Sequence, residues 1–204
     1  MKRGNHDDSF SIHPLVHSWA RLRLRSEPQK EIEKAMEAFE IISSGVVSSD
    51  KRRTEDWIFE QQVMPHIDAV TKHATQYLAV GNTKVHGGAN SLGDVYWRRG
   101  WYGKAMEWYG RALAGREKAL GVDHPDTLTT VHNMASVYKS QGQYDKALEW
   151  YGRALAGREK SIGTNHPRTQ TTIRRLVGLY ERSGRIEQAR SLRTRLQAAT
   201  SPSN

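Results

Sequence analysis

The chain has no cysteine, which excludes disulfides and thiolate metal sites. No apolar run approaches the ~20 residues of a membrane-spanning helix. The opening residues, MKRGNHDDSF, carry no apolar signal region. Acid is scarce: 22 Asp and Glu stand against 31 Lys and Arg, a formal charge of +9. That imbalance favours acidic partners without naming a class. The motifs of several chemistries are missing as well. There is no G-x-x-x-x-G-K-[ST] phosphate loop and no H-E-x-x-H zinc helix. There is no G-x-S-x-G nucleophile elbow. No acidic pair stands in an apolar setting suited to acid-base work. The expectation is a cytoplasmic, non-catalytic protein of one or two domains, with no cofactor, no metal and no membrane contact.

What the chain has instead is a stretch that occurs twice. Ala89–Thr130 and Val131–Thr172 align without a gap, and roughly 24 of about 42 positions match. Each copy holds two helical patterns separated by a glycine. Leu92, Gly93, Tyr96 and then, after Gly100, Tyr102, Ala105, Tyr109, Ala112 and Leu113 recur as Met134, Ala135, Tyr138 and, after Gly142, Tyr144, Ala147, Tyr151, Ala154 and Leu155. This is the i, i+3, i+4, i+7 spacing of amphipathic helices. Small residues alternate with tyrosines, as close helix pairs require. A worn third copy continues through Leu176, Tyr180, Gly184 and Ala189. Its last helix, about 186–198, is polar and suits the closing helix of a stack.

The spacing Gly93-Tyr96-Ala105-Tyr109-Ala112, repeated as Ala135-Tyr138-Ala147-Tyr151-Ala154, resembles the tetratricopeptide repeat. The extension through Arg158-Glu159-Lys160, Gly163, His166-Pro167 and Thr169 resembles the kinesin light chain-like subfamily. The resemblance implies an all-α fold: a right-handed superhelix of helix-turn-helix repeats, preceded here by a small helical region. The expected division is a mobile N-terminus at 1–12, a helical region at 13–80 and repeats at 89–130 and 131–172. A degenerate third repeat with its terminal helix follows at 173–198, then a mobile tail at 199–204. The glycines at 87 and 88 predict a loop over 81–88 and a shortened first helix.

Ahead of the repeats, Phe10-Ser11-Ile12-His13-Pro14-Leu15-Val16-His17-Ser18-Trp19-Ala20 resembles a segment that follows the nucleotide-binding domain in fungal NB-ARC/tetratricopeptide receptors. That resemblance implies that the chain is, or derives from, the C-terminal part of such a receptor. A kink or break is expected before Pro65. His13 and His17 share a helix face at i, i+4 but suggest no third metal ligand. His124 and His166 recur with the His-Pro turn, where proline can open a helix. Arg116-Glu117-Lys118 and Arg158-Glu159-Lys160 read as solvated faces with local ion pairs. Trp108 and Trp150 read as core between repeats.

The first helix of each pair lines the concave side of such a stack, which is the usual binding face. Counting outward from the buried positions, repeat one offers Asn90, Ser91, Asp94, Trp97 and Arg98 to a peptide groove. Repeat two offers His132, Asn133, Ser136, Lys139 and Ser140, and repeat three offers Arg174, Arg175 and Arg182. Asn90 and Asn133 stand where kinesin light chain-like repeats carry peptide-binding asparagines, whereas Ser91 and His132 depart from a double Asn. Asparagine can hydrogen-bond a peptide backbone in both senses, and arginine can hold carboxylates bidentately. The expected function is a protein-interaction scaffold for an acidic extended segment, as an adaptor or a receptor's sensor tail. RNA binding by the arginine-dense stretch 174–195 is the alternative. A homo-oligomer could cover the open end of the stack.

Overall fold

The computed structural model describes residues 83–200. The chain divides into two compact units, Met1–Val80 and Gly81–Asn204. The expectations for residues 1–80, including the 1–12 terminus, the 13–80 helices, the His13/His17 pair and the Pro65 kink, lie outside the described residues, as do residues 201–204.

Six helices follow one another: α1 (Thr83–Arg98), α2 (Tyr102–Leu120), α3 (Pro125–Ser140), α4 (Tyr144–Ile162), α5 (Pro167–Arg182) and α6 (Ile186–Thr200). They pack as hairpins, α1 on α2, α3 on α4 and α5 on α6. The hairpins stack through α2 on α3 and α4 on α5, and α1 also meets α3 directly. The tyrosine-alanine pattern is the core of this stack. Tyr96, Ala105, Tyr109, Ala112, Ala135, Ala147, Tyr151 and Ala154 are all buried, and Tyr138 is half-buried against the core. At Gly93 the packing leaves no room for a side chain, since a Cβ there would stand 2.5 Å from the Tyr109 ring. Among its described residues α6 buries Ala189 and Leu192, with Leu196 half-covered.

Each turn is written in local chemistry. Gly142 takes a φ of 73°, and Gly100 and Gly184 do the same in the sister hairpins. The amide of Gln143 donates to the Tyr138 carbonyl (2.9 Å) and that of Gly142 to Lys139 (3.1 Å). This is a Schellman ending, which needs a left-handed residue at that place. Between hairpins, His124 and His166 are the N-caps of α3 and α5. Their Nδ1 atoms accept from the amides of Asp126 (3.2 Å) and Arg168 (3.1 Å). Proline fills the first helical position, where its missing N–H is no loss. Thr127 and Thr169 tie back to the carbonyls of Gly121 and Gly163, both at 2.8 Å. The G-x-x-H-P-x-T string is therefore a complete helix-to-helix connector.

Two sequence expectations are corrected. Residues 83–88 are helical, so α1 has 16 residues, as many as α3. Two glycines cost about 1 kcal/mol each in a helix, but Ala89, Leu92 and Val95 are fully buried on the same helix, and that packing offsets the propensity. The Arg-Glu-Lys runs are also not local pairs. Glu117 bonds Arg153 and Glu159 bonds Arg195, each a hairpin further on, and Lys160 reaches back to Asp123 at 2.6 Å. Of the two tryptophans expected in the core, Trp108 is buried, while Trp150 is half-buried beside Tyr138 with Arg153 over its ring.

Candidate ligand-binding face

The first residues of the Arg-Glu-Lys runs latch one hairpin to the next. Arg116 Nη1 donates to Thr130 Oγ1 (2.7 Å) and to the Asp126 carbonyl (2.8 Å). Arg158 Nη1 repeats this on Thr172 Oγ1 (2.6 Å) and the Arg168 carbonyl (2.9 Å). Arg158 is only 3% exposed. Burial, with Arg168 nearby, lowers its pKa to about 10. Such a buried cation is held by neutral acceptors rather than a carboxylate.

The two sides of the stack are bridged by side chains of different reach. α2 to α4 and α4 to α6 are spanned by long Arg–Glu pairs. α1 to α3 is spanned by short ones: Asn133 to Asp94 (3.1 Å), Thr130 to Asn90 (3.2 Å) and Trp97 to Ser140 (3.1 Å). α1 and α3 therefore touch directly, on the side that the repeat architecture makes the inner one.

On that inner side the structure brings Asn90, Asp94 and Asn133 together and uses them up on one another. Asn90 is 8% exposed. It donates to Asp94 (3.4 Å) and accepts from Thr130 and, at 3.5 Å, from Asn133. Asp94 also accepts from the Tyr109 hydroxyl at 2.5 Å. Burial raises the Asp94 pKa, a rise opposed by the Tyr109 hydrogen bond and by Arg98 and Arg116. Ser91 turns back to the Gly87 carbonyl (3.3 Å). Trp97 is half-buried and Arg98 exposed.

The next joint holds no acid in these places. His132 lies edge-on to Tyr151, with centroids 4.8 Å apart. Its Nδ1 is 3.3 Å from Thr172 Oγ1 and 3.4 Å from Arg158 Nη1. Burial first, then Arg158 and Arg175, lower its pKa to about 3, so it is neutral. Ser136 Oγ shares a 2.7 Å hydrogen bond with the Tyr151 hydroxyl. Ser140 is exposed and donates to the Ser136 carbonyl (3.0 Å). Lys139 is half-buried, and its pKa is lowered by burial and by Arg175 and Arg182. Arg174, Arg175 and Arg182 are exposed on α5, and Arg174 bonds Gln170 (3.3 Å).

Sequence reasoning missed Tyr109, Tyr151, Thr130, Thr172, Arg116 and Arg158 as the polar frame of this face. The signal was available: each recurs in register, and an arginine repeated beside a glycine on a packed helix is more than surface. Among the described residues no group of His, Cys, Asp and Glu could hold a metal ion, and no helix is long and apolar enough to cross a membrane.

Stacked helical hairpins with a polar inner wall define a helical-repeat protein. The tetratricopeptide repeat model matches residues 87–160 and 129–196, and the chain belongs to that family. Three solved structures share the fold. Two are of a Podosopora anserina protein named for the kinesin light chains, with nearly identical TPR-like repeats. One of them, a singly substituted form, is 18% identical with a TM-score of 0.59, covering 91% of this chain and 92% of that one. The other crystal structure is 18% identical with a TM-score of 0.58, covering 91% and 93%. The third, BtubC (BKLC) from P. vanneervenii, is 16% identical with a TM-score of 0.69, covering 93% of this chain and 74% of that one. Among curated proteins none matches in sequence.

Proposed function

We infer that this protein is a non-catalytic interaction scaffold whose inner face takes an extended, acidic segment of a partner protein. One observation carries the reading. Elsewhere Arg153, Lys160, Arg185, Arg193 and Arg195 each meet a carboxylate. On the side of the first helices the positive charges of Arg175 and Arg182 act on Lys139, and none of the three has an ion pair among the described residues. Uncompensated like charges raise the energy of the free protein, and an anionic ligand relieves it. Asn90 and Asn133 are hydrogen-bonded into the frame of this face. The same scaffold serves as a kinesin light chain-like adaptor or as the sensor tail of an NB-ARC receptor.

The test is a calorimetric titration with an acidic extended peptide and a neutral peptide of the same length. Replacing Arg98, Lys139, Arg174 and Arg175 by Ala should weaken the acidic peptide about tenfold or more at low salt, and less at high salt. Equal affinity of variant and parent would remove the proposal. Tight binding of a single-stranded oligoribonucleotide, falling steeply with salt and without any peptide binding, would put RNA in its place.

A further inference from the structure

The two joints between hairpins are nearly the same object, and this permits a residue-by-residue comparison. In the first joint three inner pairs are complementary: Asn90 with Asn133, Asp94 with Asn133, and Trp97 with Ser140. One period on, the same positions hold His132 with Arg175, Ser136 with Arg175, and Lys139 with Arg182. The acid of the first joint has become a serine and its amide partner an arginine. The neutral Trp97–Ser140 contact has become a lysine facing an arginine. The contact of His132 with Thr172 matches that of Asn90 with Thr130, so at this point α5 meets α3 in the register in which α3 meets α1. Arg175 and Arg182 lie two turns apart on one face of α5, about 10 Å along the axis, and Lys139 on α3 is close enough to feel the charge of both. The guanidinium arms are long enough to close on a single group held between them.

Resting on the reading of an acidic partner, we propose that the second joint is a phosphoryl site: Lys139, Arg175 and Arg182 converge on a phosphorylated serine or threonine of the bound segment. The phosphoryl dianion stands where Asp94 stands in the first joint. Three cations around one point match a compact dianion better than the single charge of a carboxylate. Arginine forks also bond phosphate oxygens bidentately. Ser136, in the acid's position, leaves space and carries no opposing charge.

Three labelled peptides of one acidic sequence test this, bearing phosphoserine, glutamate or serine at one position, measured by anisotropy against the full chain. The phosphoserine peptide should bind about tenfold more tightly than the glutamate form, and inorganic phosphate should compete with it. Ser136→Asp, which installs the internal acid, should remove the phosphoserine advantage without lowering the Tm. Arg182→Gln, at an exposed position, should reduce it independently. Equal affinity for phosphoserine and glutamate overturns the phosphoryl site and leaves the acidic scaffold standing. Binding of none of the three overturns both. Retention of the full advantage in Ser136→Asp and Arg182→Gln overturns the placement.

Discussion

Tyr109 and Tyr151 occupy equivalent places and hold different partners. Tyr109 donates to the Asp94 carboxylate, whereas Tyr151 pairs with the Ser136 hydroxyl. Burial and the adjacent Asp94 push the Tyr109 pKa upward, so its proton stays in place. Tyr109→Phe leaves a buried carboxylate with one donor fewer and should cost about 1–3 kcal/mol in urea unfolding. Tyr151→Phe removes a neutral bond and should cost about 1 kcal/mol. His132 gives the fold a pH dependence of known sign. Its folded pKa of about 3 lies below the ordinary 6.5, so the unfolded chain binds the proton first. Its contribution is complete above pH ~6.5 and is lost as pH falls toward 3. His132→Gln should flatten that acid limb in a series of melts between pH 7 and pH 4. None of these partners was legible in one sequence. Residue types and register show which side chains are polar, but which of them meet depends on how closely α1 approaches α3.

At the scale of the helix, the sequence was most informative where backbone geometry admits one residue. Gly142 has a φ of 73° and open space around the place of a Cβ. Gly142→Ala should therefore cost about 1 kcal/mol through conformation alone. Ala147 is the opposite case, fully buried in the cluster around Tyr151 and Ile173. Ala147→Leu should overpack that cluster and lower stability by about 1–3 kcal/mol, read from the urea midpoint. The hairpins, their turns and α6 were readable from period and punctuation. The start of α1 was not, because Gly87 and Gly88 oppose the helix locally and only packing decides for it. The Arg-Glu-Lys runs misled for a related reason. Spacing within one helix cannot show that the acid's partner lies 36 residues away.

Over the whole stack, stability is a sum of hairpins and the joints between them. The third hairpin has one neighbour among the described residues and a final helix that buries little. Amide hydrogen exchange should thus be fastest in α6, then α5, with α3 and α4 protected longest. Uniform protection across all six helices would show that the stack opens as one unit. Ion pairs such as Arg153–Glu117 and Arg195–Glu159 tie the second helices of successive hairpins, whereas the first helices α1 and α3 are tied by shorter-range hydrogen bonds.

The latch has a consequence for how such a protein changes over generations. The stretch from Pro125 to His166 carries both halves of a joint: Thr130 and the Asp126 carbonyl receive an arginine, and Arg158 supplies one. Copied in tandem behind itself, it would meet a matching half on either side. Unequal recombination can therefore lengthen or shorten this molecule by whole hairpins, with every new seam already compatible before selection acts on it.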